Sequence, residues 1–165
     1  MKYITKDNVG YYIASIIIMV ALDLATKYWV FSYLANVPMR QVEVLPIFNL
    51  VVVWNRGISF GMFNSIPNAA IVLTIVALCI VVFLCGWLAK ASSKYIAIAL
   101  TFVISGAFGN IIDRIINGAV ADFLDFHIGL YHWPAFNLAD SFVTVGAILL
   151  IFEELFLKIY KWYKK

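Results

Sequence analysis

Four long apolar runs, at residues 12–31, 68–88, 95–112 and 139–157, set the main constraint on how this chain can fold. Each is about the length a helix needs to cross the hydrocarbon core of a bilayer, roughly 20 residues. Lipid offers no partner to an open backbone, so a lone apolar run is viable there only as a helix. The chain is 64% hydrophobic and 13% charged over 165 residues, too apolar for the surface of an ordinary soluble domain. The expected architecture is a single α-helical membrane domain, residues 1–165, with four transmembrane helices.

Lysines punctuate these runs. Lys2 and Lys6 precede the first, Lys90 and Lys94 join the second to the third, and Lys158, Lys161, Lys164 and Lys165 close the chain. Four spans place all three clusters on one side, which the positive-inside rule makes cytoplasmic. Both termini are then expected inside, with Trp29, Tyr33, Trp87, Tyr95, Tyr160 and Trp162 in interfacial belts. Residues 1–21 imitate a secretory signal, yet they lack a small-x-small cleavage site and the apolar stretch continues to Phe31. They read as a retained first helix. The net charge of +3 is topology charge; nucleic-acid binding would need a basic face in polar surroundings. Cys79 and Cys85 share an apolar run with no His, Asp or Glu beside them, so packing suits them better than metal ligation.

Two segments fall on the outer side. In 37–64, Gln41-Val42-Glu43-Val44 alternates and 48–53 is rich in β-formers, which predicts a small β-rich segment against the outer leaflet. The stretch 117–136 carries Phe123, Phe126, Leu130, Tyr131, Trp133 and Phe136, and reads as an interfacial helix or aromatic loop.

With that topology, costly polar groups from separate segments arrive at one depth near the outer surface. Asp23 and Lys27 lie in the outer half of helix 1, at i,i+4 with the acid first, the favourable order for a helical pair. They suit a structural ion pair or a substrate contact. Asn110 and Arg114 share a face of helix 3, where Asp113 and Arg114 close the helix. Asn137, Asp140, Ser141 and Thr144 make a polar stripe entering helix 4, and Asp122 lies in the loop between. Ala97, Thr101, Ser105 and Gly109 form a small-residue seam for close helix packing. Gly57-Ile58-Ser59-Phe60-Gly61 matches the nucleophile elbow, but that motif needs a strand–turn–helix in an α/β sheet. Its glycines suit tight turns, as does Gly118. His127 and His132 read as loop residues, without the H-E-x-x-H pattern.

An acid inside a membrane marks function more often than not. Two aspartates brought close cannot both ionise cheaply, so one keeps a proton while the other stays charged. The charged partner can activate a water against a peptide carbonyl, and the protonated one can polarise the carbonyl oxygen. No metal or organic cofactor is required. The pair Asp122 and Asp140 fits, and the sequence leaves open which of them holds the proton. A transporter would instead show repeated halves and polar groups at the midplane; a serine protease would rest on Ser59, and a scaffold would not need the convergence.

Five blocks carry a resemblance: Asp23-Leu24-Ala25-Thr26-Lys27, Asn55-Arg56-Gly57-Ile58-Ser59-Phe60, Gly106-Ala107-Phe108-Gly109-Asn110-Ile111-Ile112-Asp113-Arg114, Val120-Ala121-Asp122-Phe123 and Phe136-Asn137-Leu138-Ala139-Asp140. In kind and order they resemble the signal peptidase II family, bacterial membrane aspartyl proteases. The resemblance implies Asp122 and Asp140 as the catalytic dyad, with Asn55, Gly57, Asn110, Arg114 and Asn137 shaping the substrate site. It implies structural support from Asp23, Lys27 and Asp113. The implied substrate is a prolipoprotein already lipidated on its lipobox cysteine, processed at the bacterial inner membrane among membrane lipids. The family commonly has threonine where this chain has Arg56, and alanine where it has Ser59.

Overall fold

The computed structural model describes residues 3–5, 8–57 and 69–163. Lys2, Lys6, Ser59, Gly61, Lys164 and Lys165 lie outside the described residues, and so does most of the glycine–serine motif. The elements run α1 (Val9–Leu34), β1 (Gln41–Leu45), β2 (Phe48–Asn55), α2 (Ala69–Leu88), α3 (Lys94–Asn117), β3 (Val120–Ile128), β4 (Tyr131–His132) and α4 (Leu138–Tyr163).

All four apolar runs are helical. Three of the helices, α1, α2 and α3, are long and apolar enough to cross a membrane. At 26 residues α4 is long enough too, but Asp140, Glu153 and Glu154 interrupt the apolar character of its described part. Among the described residues composition therefore marks three candidate spans where four were expected. Many large apolar side chains point away from the protein, among them Ile17, Tyr28, Val82, Phe83 and Phe152. Faces of this kind are stable against lipid rather than water.

The centre of the bundle is α3, which packs on α1, α2 and α4. Its inner face buries Leu100, Ile104 and Ile111 against Val81 and Leu84 of α2. The small-residue seam is real: Ala97, Thr101 and Ser105 are buried, and the two hydroxyls bond back to Ala97 O (2.8 Å) and Thr101 O (2.7 Å). One turn on, a side chain at Gly109 would collide with the Asp23 carboxylate, and one at Gly106 with the backbone of Ala139. Close approach of α1, α3 and α4 thus depends on glycine at these two positions. Ser93 caps α3 by accepting from Ile96 N at 3.1 Å. At the other end Gly118, with φ of 67°, terminates it in the left-handed conformation. The helix therefore runs one turn beyond the expected 95–112.

The 117–136 segment is neither an interfacial helix nor a loop. Residues 120–128 form β3, paired antiparallel with β2 on one side and β4 on the other, in a sheet of order β1-β2-β3-β4. His127 and His132 consequently lie on paired strands. The β-rich expectation for 37–64 does hold in β1 and β2. One end of the sheet rests on α1, where Phe123 packs with Val30 and Leu34.

Candidate active site

Pairing between β2 and β3 sets Asn55 opposite Val120 and Val53 opposite Asp122. The strand edge is then tied down by Phe136, whose carbonyl accepts from Phe123 N and Leu124 N at 3.0 and 2.9 Å. This clamp delivers the next residue, Asn137, to the side of Asp122. The same residue opens α4, so Asp140 enters the site from the first turn of a helix.

Asn137 joins the two aspartates. Its Nδ2 donates to Asp122 Oδ1 at 2.7 Å, and its Oδ1 accepts from Asp140 N at 2.9 Å. Its own backbone N–H donates to Asp140 Oδ2 at 3.2 Å. The last two contacts form a reciprocal capping arrangement at the start of a helix. Asn55 completes the partners of Asp122, donating to Oδ2 at 3.0 Å, while Asn110 donates to Asp140 Oδ1 at 2.7 Å. Asp122 is buried and Asp140 is half-buried.

Burial, and then the charge of Asp140, push the Asp122 carboxyl up to about 7, although Asn55, Asn137 and Lys27 pull the other way. Near neutrality Asp122 thus exchanges a proton beside a second carboxylate. The arrangement can give a proton at one oxygen and take one at another, which is what splitting a bond with water requires.

The supporting residues are assembled as well. Lys27 pairs with Asp23 at 2.7 Å and Asp113 at 2.9 Å. Arg114 donates from Nη2 to Gly57 O at 3.2 Å, while its buried Nε has no partner among the described residues. Gly57 N is held by Asn55 Oδ1 at 3.0 Å. Hydrogen bonds and ion pairs thus bring together Asp23, Lys27, Asn55, Gly57, Asn110, Asp113, Arg114, Asp122, Asn137 and Asp140, and Arg56 beside them is exposed. Asp122 lines a cavity of about 620 Å³ with Arg40, Trp54 and His132. Asp140 lines another of about 550 Å³ with Thr144, and Trp133, Pro134 and Ala135 border both.

Sequence reasoning missed a second cluster on that cavity wall. Asp125 accepts from Asn49 at 2.9 Å and meets His132 Nδ1 at 2.8 Å. Burial alone would raise this carboxyl, but the Asn49 and His132 contacts outweigh it and hold Asp125 below the usual range. The available signal was a second acid in Asp122-Phe123-Leu124-Asp125. Among the described residues no group of His, Cys, Asp and Glu suits a metal ion.

Apolar helices around an amide-bridged pair of aspartates, one buried and one half-buried, define a multi-pass membrane protein with two neighbouring carboxyls at one site. Residues 15–156 match the family model for signal peptidase (SPase) II. The chain belongs to the signal peptidase II family, and it is a peptidase by that membership. It is 41% identical over 143 residues to a lipoprotein signal peptidase of Burkholderia thailandensis, covering 84% of each chain. A lipoprotein signal peptidase of Sulfurihydrogenibium is 40% identical over 147 residues, with 86% of this chain and 88% of the relative covered. Two solved structures of a bacterial membrane enzyme superpose with TM-scores of 0.77 and 0.76, each at 30% identity and over 89% of this chain, covering 88% and 94% of theirs.

Proposed function

We propose that this chain is an aspartyl endopeptidase of the bacterial inner membrane that removes signal peptides from prolipoproteins. The cut falls just before the cysteine that carries diacylglycerol. One observation carries the reading: Asp122 and Asp140 are bridged by Asn137 in a chain of the signal peptidase II family.

In this mechanism Asp140 is the base. It takes a proton from a water that attacks the scissile carbonyl, while the Asp122 carboxylic acid hydrogen-bonds the carbonyl oxygen as negative charge develops there. The proton held by Asp140 then passes to the departing amine, and the pair returns to its starting state. Asn55, Gly57, Asn110, Arg114 and Asn137 shape the site, with the Arg114 Nε as a donor for a substrate carbonyl. Lipid chains stay among membrane lipids while the cysteine backbone reaches the two cavities. The partners are lipid-modified precursors and lipid, with no role for nucleic acid.

A sharp pH dependence follows. Asp122 must be protonated to serve as the acid, and its carboxyl titrates at about 7. Raising the pH through that value removes the proton, so kcat/KM for a lipidated precursor peptide should fall by about tenfold per pH unit on the alkaline side. A profile flat from about pH 6 to about pH 9 would speak against Asp122 as the acid.

The remaining topology belongs to the same proposal. One peptidase domain has α4 as its fourth span, both termini in the cytoplasm and the dyad near the outer face. Accessibility tagging should find residues 41–55 and 120–132 outside and the loop at 89–93 inside. The reverse placement would overturn it.

A further inference from the structure

Two accessory carboxylates stand in matching relation to the pair. Asp23 Oδ1, on α1, accepts the N–H of Ala139 at 2.8 Å. Asp113 Oδ2, on α3, accepts the N–H of Ala121 at 3.1 Å. Ala139 immediately precedes Asp140, and Ala121 immediately precedes Asp122. One ammonium lies between the two acids, with Lys27 Nζ 2.7 Å from Asp23 Oδ2 and 2.9 Å from Asp113 Oδ2. Lys27 also donates to Asn110 Oδ1 at 3.2 Å, and the amide of that asparagine reaches Asp140. Asp23, Lys27 and Asp113 are 0%, 4% and 5% exposed.

A hydrogen bond to the N–H of the residue before an aspartate fixes the peptide plane one residue upstream of it, and so restrains the backbone from which that aspartate springs. Asp23 and Asp113 thus restrain α4 and β3 at the two points that matter for their relative placement. Left alone, the two buried acids would repel one another and lack a counter-charge. A buried ion cluster of this kind is a poor source of stability, because desolvation consumes most of its Coulomb energy. Its geometry is better matched to registering two elements that meet at one site.

We propose that Lys27 is the positioning residue of the dyad: by drawing Asp23 and Asp113 to one ammonium, it sets the spacing of Asp140 and Asp122. This rests on the reading of those two aspartates as the catalytic pair. Lys27 has a second, electrostatic effect. Asp122 is faced by Asp140 from α4, Lys27 from α1 and Arg114 from α3, and loss of the α1 cation moves its titration to higher pH.

The test uses full-length protein and a diacylglyceryl-modified precursor peptide. Lys27→Met should lose about 100-fold in kcat, the scale of a 1 Å misplacement, with KM held within about threefold. Its alkaline limb should move upward in pH. An unchanged kcat, or a loss with the limb at its wild-type position, would overturn the proposal, since a merely structural lysine would leave the limb in place. Should Lys27→Met not fold, Asp113→Asn decides. It keeps an acceptor for Ala121 N–H but loses the charge that Lys27 draws in, so it should lose kcat with KM held; a wild-type kcat in folded Asp113→Asn overturns the proposal. Asp122→Asn runs alongside. If it is inactive while Lys27→Met is fully active, only the positioning role fails; turnover by Asp122→Asn removes the dyad itself.

Discussion

Asn in place of either Asp122 or Asp140 is expected to lower cleavage of a lipidated precursor by on the order of 10⁴-fold. The substitution keeps the shape of the side chain and removes its ability to cycle a proton. Asn at 122 keeps a carbonyl to accept from one of Asn55 and Asn137 but turns an N–H donor toward the other, so the site loses its chemistry and one of the two contacts. In the proposed mechanism the two aspartates act on one water and one carbonyl, so loss of either stops the same step. The double variant should therefore be little slower than the single ones. Independent roles would instead multiply the losses. The comparison needs variants shown to be folded, by thermal unfolding in detergent. Asp122→Asn gives up one accepted hydrogen bond, but it also removes a charge that the native fold resists: burial and Asp140 push that carboxyl up to about 7. The folded pKa is raised, so the native charged carboxylate becomes a liability as pH rises from the ordinary carboxylate range through about 7. Relative to wild type, the Asn variant should gain stability across that window.

Asn137→Ala should damage stability and turnover together. Asn137 is fully buried and serves both aspartates, capping α4 at Asp140 N while its amide meets Asp122 and Asn110. Truncation removes the helix cap and leaves buried polar groups short of a partner, a loss of about 1–3 kcal/mol. Turnover should fall by about 100-fold, because the dyad loses the group that fixes its relative placement. Asn137→Asp separates the two effects. Aspartate caps a helix as well as asparagine does, so much of the stability should return, but a third carboxylate beside the dyad should keep turnover low. Unfolding and cleavage measured on the same preparations check this. Lost stability with intact turnover would reduce Asn137 to a structural cap.

The helices were legible because apolar runs of that length have few alternatives, and α2 begins and ends within a residue of the expected 68–88. So was the convergence of Asp23, Lys27, Asn110, Arg114, Asn137 and Asp140, since topology alone brings their segments to one end. β3 was not. A strand with one wet face alternates, whereas residues 120–123 of β3 are all buried, with both faces covered. Its two aspartates and Gly118 made the stretch look like a loop. Equally hidden were the bonds from Asp23 to Ala139 and Asp113 to Ala121, because no local pattern announces a carboxylate reaching another element's backbone. The Asp125–His132 contact depends on β3 pairing with β4 and was lost with that strand. The count of spans remains a matter of α4, whose acids serve the site and its packing at the expense of apolar length.

The most direct test of the aspartyl reading is single-turnover cleavage of a diacylglyceryl-modified precursor peptide at about pH 6. Purified wild type and folded Asp122→Asn would be compared, with products identified by mass spectrometry. The account predicts one cut in the wild type, immediately before the lipidated cysteine, and no product from the variant. Cleavage at that bond by Asp122→Asn, at a rate near the wild type, would contradict it.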